Sequence, residues 1–365
     1  MSEFKRATTP YEDTETFEAD IQENKDGLRP FGVSYLDDSV VGMLKDDLVL
    51  LAGRSGGGKT ELAMHIALEC ARRGIHVHYF ALEAHKKELG FRLLYKEATR
   101  LYFQDRAHSK RLDYSKGPYI SYDRWRKGQL DFLHKYAREA RDKLKQNDLL
   151  TTRYSAGGYT LSKFRQDFLS IKGNAGLVLL DHLHYFELED DRENSEYKKI
   201  VTDIRQKILE HHIPMILVSH IRKADRQRPQ LVPEQEDFHG SSDIVKIATM
   251  AITIAAGGDR PRVYESMTQD GPIYSSIDIP RGFPSFMKIA KYRGNGSMEA
   301  HTALLQFNPE TNTYGSRYYI GRAQEIDRKL CFLAHTNDSI PEWAVSAIDP
   351  KPKTVPTTMR SDHEC

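Results

Sequence analysis

The chain has 365 residues, with 53 Lys plus Arg against 52 Asp plus Glu, for a formal net charge of +1. That balance excludes a global basic field, so any nucleic-acid contact has to be a local patch. Hydrophobic residues make up 39%, enough for a substantial core, while three scattered cysteines (Cys70, Cys331, Cys365) exclude a disulfide framework or a zinc cluster; with no apolar run long enough to span a bilayer and no signal-peptide pattern, a cytoplasmic protein without a membrane partner is expected.

Residues 1–28 are rich in Glu, Asp and Thr with little apolar periodicity, and the expectation is a flexible acidic arm. From there, short apolar runs alternate with amphipathic stretches. Strands are expected at 48–52, 76–81, 177–180, 215–218, 250–255, 287–291 and 302–307, and helices at 59–73, 85–102 and 194–212. Such an alternation predicts an α/β fold with a mainly parallel central sheet covered by helices on both faces. Residues 257–286 are longer than a simple hairpin needs and are expected to form an inserted loop. The last stretch, from about 345, has three prolines and no hydrophobic pattern, so a disordered tail is expected. The resulting division is an arm (1–28), a main domain (29–322) and a C-terminal extension (323–365).

The most specific signal is LVLLAGRSGGGKTELA. An apolar strand breaks into a glycine-rich loop that matches G-x-x-x-x-G-K-[ST], and a helical pattern follows. In such a loop, backbone N–H groups around Gly53, Ser55, Gly56, Gly57 and Gly58 turn inward on a polyphosphate. Lys59 reaches its β- and γ-phosphates, and the Thr60 hydroxyl serves Mg²⁺. The N-terminus of the following helix points its positive end at the same anion. A nucleoside triphosphate, ATP by expectation, and Mg²⁺ are therefore the implied ligands.

Three further strands end in polar residues. GLVLLD delivers Asp181, where a carboxylate can support Mg²⁺ through water. HVHYFALE ends in Glu83, a candidate for polarising the attacking water. PMILVSH delivers Ser219 and His220, the latter a candidate contact to the γ-phosphate. Their convergence fits the rule that open α/β sheets bind ligands outside the carboxyl ends of their strands.

In order and spacing, GRSGGGKT, FALEAHKKELGFRLL, LVLLDHLHYF, PMILVSHIRK, FHGSSDIVKIATMAITI and KIAKYRGNG resemble the RecA-fold motor domain of DnaB-type hexameric replicative helicases over about residues 30–320. The resemblance implies a RecA-like P-loop ATPase core acting on single-stranded DNA as a homo-oligomeric, hexameric ring, with 5′–3′ polarity. It makes Glu83 the catalytic base, Asp181 the Mg²⁺ and water support, and His220 the γ-phosphate sensor of the phage and mitochondrial branch. Lys291 and Arg293 match the family's Lys-x-Arg, which reaches the neighbouring subunit's nucleotide. Arg222, Lys223, Arg226 and Arg228 fall where the family has a central-channel loop, and basic residues there can neutralise DNA phosphates. A second basic and aromatic run, residues 104–129, sits away from that channel.

Some positions depart from the family. Residues 1–28 are too few for the family's N-terminal primase-binding domain, the loop ELEDDRENSE after Asp181 is acidic, and His239 replaces the usual arginine of the LRGSG segment. Two functions are therefore compatible with the sequence: a DNA translocase or helicase, and an ATPase switch or scaffold, in a mobile-element or defence system, that assembles with a protein partner.

Overall fold

A computed structural model describes residues 16–334 apart from 84–85, 108–119, 148, 156, 191, 222–231, 239–241, 257–261, 269–270, 277–282, 295–300 and 327–328. In chain order the elements are α1 (Phe17–Asp26), α2 (Ser34–Val40), β1 (Leu48–Gly53), α3 (Lys59–Arg72), β2 (Val77–Ala81), α4 (Lys86–Ala107), α5 (Tyr122–Arg126), α6 (His134–Asn147), β3 (Leu150–Tyr154) and α7 (Leu161–Ile171). Then come β4 (Leu177–Asp181), α8 (Glu193–His211), β5 (Met215–His220), α9 (Ser242–Ile247), β6 (Met250–Ala256), β7 (Arg262–Thr268), β8 (Gly271–Ser276), β9 (Phe283–Tyr292), β10 (Thr302–Asn308), β11 (Thr313–Ile326) and β12 (Lys329–Ala334).

All twelve strands form one sheet in the order β3-β2-β4-β5-β1-β6-β9-β10-β11-β12-β7-β8. The six strands from β3 to β6 run parallel. Beyond β6 the sheet continues antiparallel through β9, β10, β11 and β12, and a single parallel pair, Phe332 with Val263, joins the β7–β8 hairpin. The parallel half is the α/β architecture that the alternation predicts.

Period-two geometry explains why this sheet needs helices on both sides. Successive side chains of a strand point to opposite faces. Val49, Leu51, Tyr79, Leu179, Ile216 and Val218 face a core formed with α2 and α3, whereas Leu48, Leu50, Phe80, Leu180 and Leu217 face α7, α8 and α9. Strands buried on both faces read as continuous apolar runs, as β1, β4 and β5 do. A third, separate cluster gathers Tyr95, Leu101 and Tyr102 of α4 with Trp125 of α5 and Leu133 and Ala137 near and within α6.

Several expectations meet a different structure. α1 is a helix inside the stretch read as a flexible arm; it buries none of its residues and is tied to the body through Lys45 Nζ and Glu23 Oε1 at 2.7 Å. The 257–286 stretch is not a plain inserted loop, because it contains the β7–β8 hairpin. β11 runs through residue 322, so the sheet extends across the boundary drawn there. The tail from 345 lies outside the described residues. Among the described residues, no helix is long and apolar enough to cross a membrane.

Candidate active site

β1 ends at Gly53, and the chain turns through a loop into α3. Gly53 has no room for a side chain, since a Cβ would lie 2.5 Å from Ile254 O. Gly58 caps α3 at φ 95°, a left-handed conformation that glycine adopts without strain. Ser55 and Gly56 are exposed at the loop's tip, and buried Gly57 donates its N–H to Arg54 O at 3.0 Å.

Lys59 is buried, and its Nζ donates to Gly53 O (3.0 Å) and Arg54 O (3.1 Å) across the loop it follows. Burial lowers its pKa, opposed by the charges of Glu83 and Asp181. A cation so placed, on the glycine loop at the start of a helix, fits a polyphosphate.

Asp181 ends β4 on the same sheet face as Leu177 and Leu179, toward α3. Its carboxylate is 2% exposed. The Tyr79 hydroxyl donates to Oδ2 at 2.7 Å, Thr60 lies beside the carboxylate, and Oδ1 is buried with no hydrogen-bond partner. Burial pushes the carboxyl up to about 6, assisted by the charge of Glu83 and opposed by the Tyr79 hydrogen bond, by Thr60 and by Lys59. A buried carboxylate oxygen without a partner is costly unless a ligand or ordered water satisfies it. Set beside Thr60 and Lys59, it fits a hydrated Mg²⁺ accompanying a phosphate chain. Among the described residues no cluster of three metal-ligating side chains exists, so a cation here rests on Thr60, Asp181 and its own phosphates.

Glu83 lies two residues past β2, exposed, beside Asp181. Register pairs Ala81 with Asp181, and the backbone of Leu82 and of Glu83 donates to Asp181 O at 2.7 and 3.4 Å. His220 ends β5 directly opposite Gly53 in the parallel β1–β5 pair. Its backbone N–H donates to His184 Nδ1 at 3.4 Å, and its ring centroid lies 3.7 Å from that of His182. His182 is fully buried, and burial, with the neighbouring His220, His184 and Lys59, holds it neutral with a pKa pulled down to about 2.

Lys59, Thr60, Glu83, Asp181 and His220 thus meet at one sheet edge. Lys291 and Arg293 do not join them. Lys291 pairs with Ala251 and the Arg293 N–H donates to Thr249 O, so both lie toward the amino ends of β1 and β6. Their side chains donate to carbonyls at the end of α9: Lys291 Nζ to Val245 O (2.5 Å), Lys246 O (3.0 Å) and Ala248 O (2.9 Å), and Arg293 Nη2 to Lys246 O (2.8 Å). Lys291 is still inside β9, not on the turn after it. Arg222, Lys223, Arg226, Arg228 and His239 lie outside the described residues, as do 108–119 of the second basic run. Tyr122 of that run packs on Tyr95 with centroids 5.5 Å apart.

Reading the sequence for strand-end polar residues missed Tyr79, His182 and His184. The signal for the histidines was the DHLH spelling directly past β4, which puts two imidazoles at the strand's carboxyl end, one before and one within the helical turn Leu183–Tyr185. Tyr79 carried a fainter one, a polar-tipped aromatic in a strand two residues short of the edge.

The model of the DnaB-like helicase C terminal domain family matches residues 29–316. The chain is 24% identical over 298 residues to "Replicative DNA helicase DnaB" of Leifsonia xyli subsp. xyli, covering 79% of this chain and 57% of that protein. It is 26% identical over 240 residues to "Replicative DNA helicase DnaB" of Synechocystis sp., covering 64% of this chain and 25% of that protein. The chain therefore spans little more than half of one relative and a quarter of the other. Two solved structures share the fold: one of an ATPase domain (TM-score 0.63, 19% identity, 84% of this chain and 99% of that one) and the DnaB-like replicative helicase of a structure that describes its interactions with primase (TM-score 0.58, 18% identity, 85% and 67%). With the family model spanning 29–316 and a P-loop, Asp181 and His220 at one edge of a RecA-like sheet, the chain belongs to the DnaB-like helicase C-terminal domain family.

Proposed function

We propose that the chain is the motor core of an ATP-hydrolysing translocase or helicase on single-stranded DNA, working as a homo-oligomeric, hexameric ring in the cytoplasm. The observation that carries this reading is the meeting of Lys59, Thr60, Glu83, buried Asp181 and His220 at one edge, with Asp181 Oδ1 unpartnered.

The backbone of residues 53–58 and Lys59 hold the phosphates, and Thr60 and Asp181 hold Mg²⁺, the latter through water. Bound Mg²⁺ supplies charge neutralisation at the phosphates. Glu83, exposed where Asp181 is buried, takes a proton from water, which assigns the two carboxylates different tasks. His220, opposite Gly53, contacts the γ-phosphate. Lys291 and Arg293 face away from their own subunit's loop and serve a neighbour's nucleotide, and Arg222, Lys223, Arg226 and Arg228 contact DNA phosphates.

The experiment is ATP hydrolysis by the wild type and by Lys59→Ala, each with and without single-stranded DNA. Hydrolysis that depends on Lys59 and is stimulated by DNA is the expected result. Lys59-dependent hydrolysis indifferent to DNA would remove the translocase half of the proposal. Wild-type turnover in folded Lys59→Ala would remove all of it.

A further inference from the structure

We infer that Tyr79 is a positioning residue for the cation site: its hydroxyl fixes the Asp181 carboxylate in the rotamer that leaves Oδ1 facing the Mg²⁺ of a bound nucleotide. The inference rests on the proposed role of Asp181 and adds a residue to it.

The register makes the contact. Tyr79 pairs with Leu179 on the neighbouring strand, and Asp181 follows two residues later on the same face. Two strand residues advance about 6.7 Å, close to the reach of a tyrosine from Cα to its hydroxyl. Tyr79 is fully buried, so its ring is held in place with the hydroxyl within bonding distance of Asp181 Oδ2.

The next acidic neighbour is ion-paired, although its Oε2, like Asp181 Oδ1, has no hydrogen bond. Glu61, in the first turn of α3, pairs with Arg92 Nη1 at 3.0 Å and with Lys96 Nζ at 2.9 Å. Those two cations of α4 hold Glu61, and the phenol donates to Asp181 Oδ2 at 2.7 Å.

A carboxylate has two equivalent oxygens, and rotation about its terminal bond exchanges them. Donation to Oδ2 breaks that symmetry. Oδ1 remains as the acceptor with no partner, buried yet beside Thr60. Phenylalanine at 79 would fill the same space and leave the carboxylate free to turn.

The test is binding of a fluorescent ADP analogue to the full chain, in excess Mg²⁺ and in EDTA. The proteins are the wild type, Tyr79→Phe, Asp181→Asn and the double variant. Tyr318→Phe is the control, because it removes a tyrosine donor to a different carboxylate (Asp38 Oδ2, 3.0 Å). In EDTA all five should bind alike. In Mg²⁺ the wild type and Tyr318→Phe should gain affinity, and Tyr79→Phe should lose most of that gain, about tenfold for a hydrogen bond to a charged group. The double variant should be no worse than Asp181→Asn. Should Tyr79→Phe fail to fold, 4-fluorophenylalanine at 79 fills the phenol's volume without its donor and carries the same expectation.

A wild-type Mg²⁺ gain in Tyr79→Phe overturns the inference. So does an equal loss in EDTA and Mg²⁺, the mark of a merely structural tyrosine, or additive losses in the double variant. No nucleotide binding by the wild type would instead overturn the ATPase reading beneath it.

Discussion

Lys291 Nζ donates to Ala248 O at 2.9 Å, and this contact fixes a cation at the end of the sheet opposite its own P-loop. The five residue steps of β1 from Leu48 to Gly53 span about 16 Å, and β9 lies two strands to the side. Neither Lys291 nor Arg293 can reach across that distance, so any triphosphate they serve belongs to another copy. Here they cap α9, whose last carbonyls favour positive charge.

Arg293→Ala should therefore bind ATP normally and hydrolyse it poorly, by a factor on the order of 10³ or more if the arginine acts as a finger in trans. Mixing Arg293→Ala with Lys59→Ala subunits should restore part of the activity, because an intact P-loop then meets an intact arginine. The measurement is steady-state ATPase of the mixture against each variant alone. A full-rate monomer, or mixtures that never recover, would rule out a shared site.

Glu83→Gln should separate binding from chemistry. The glutamine keeps the side chain's shape beside Asp181 but cannot accept a proton, so hydrolysis should fall about 10²- to 10⁴-fold with nucleotide affinity unchanged. Single-turnover hydrolysis and equilibrium binding measure the two separately. Normal turnover would transfer the role of base to another carboxylate.

The α3–α4 contact makes a prediction about stability. Lys96 is 1% exposed, pairs with Glu61 and donates to Asn312 O in the β10–β11 turn, while Tyr95 of the same helix donates to Glu310 O. Lys96→Met should cost about 1.5–3 kcal/mol, since Glu61 would lose a buried partner but keep Arg92. Pairing it with Glu61→Gln should recover part of that loss in denaturant melts. If the double variant is no more stable than Lys96→Met, the cost is packing, not charge.

How much of this was legible beforehand follows from where each feature is encoded. The P-loop, Asp181 and His220 sit at the ends of uninterrupted apolar runs, because strands buried on both faces concentrate their hydrophobic residues in sequence. β3 escaped notice because it is an edge strand whose Thr151, Thr152 and Arg153 are only partly buried, which erases the apolar signal. The Tyr79–Asp181 bond, between residues 102 apart, depends on β2 and β4 becoming neighbours, and no local pattern announces that pairing. The strand expected over 287–291 is longer at both ends, from Phe283 to Tyr292.

His65 should make the fold sensitive to acid. It is buried on α3, Nε2 bonds Gly32 O at 2.6 Å, and the edge of its ring meets Tyr314 from β11. Burial holds its pKa down to about 4 from 6.5, with Lys96 of α4 and Arg72 pushing the same way and the Gly32 bond and Glu69 opposing. A depressed pKa means that between about pH 6.5 and 4 the unfolded chain takes up a proton that the folded chain refuses. Stability is therefore complete above that window and falls as the pH drops through it, by at most about 1.4 kcal/mol per pH unit for this one group. His65→Gln, which keeps an N–H for Gly32 O, should lose that slope. Denaturant midpoints from pH 4.5 to 7.5 measure the difference between the two proteins, so other histidines with lowered pKa values, such as His78 and His182, cancel. Parallel curves for wild type and His65→Gln would show that this histidine does not set the acid limb.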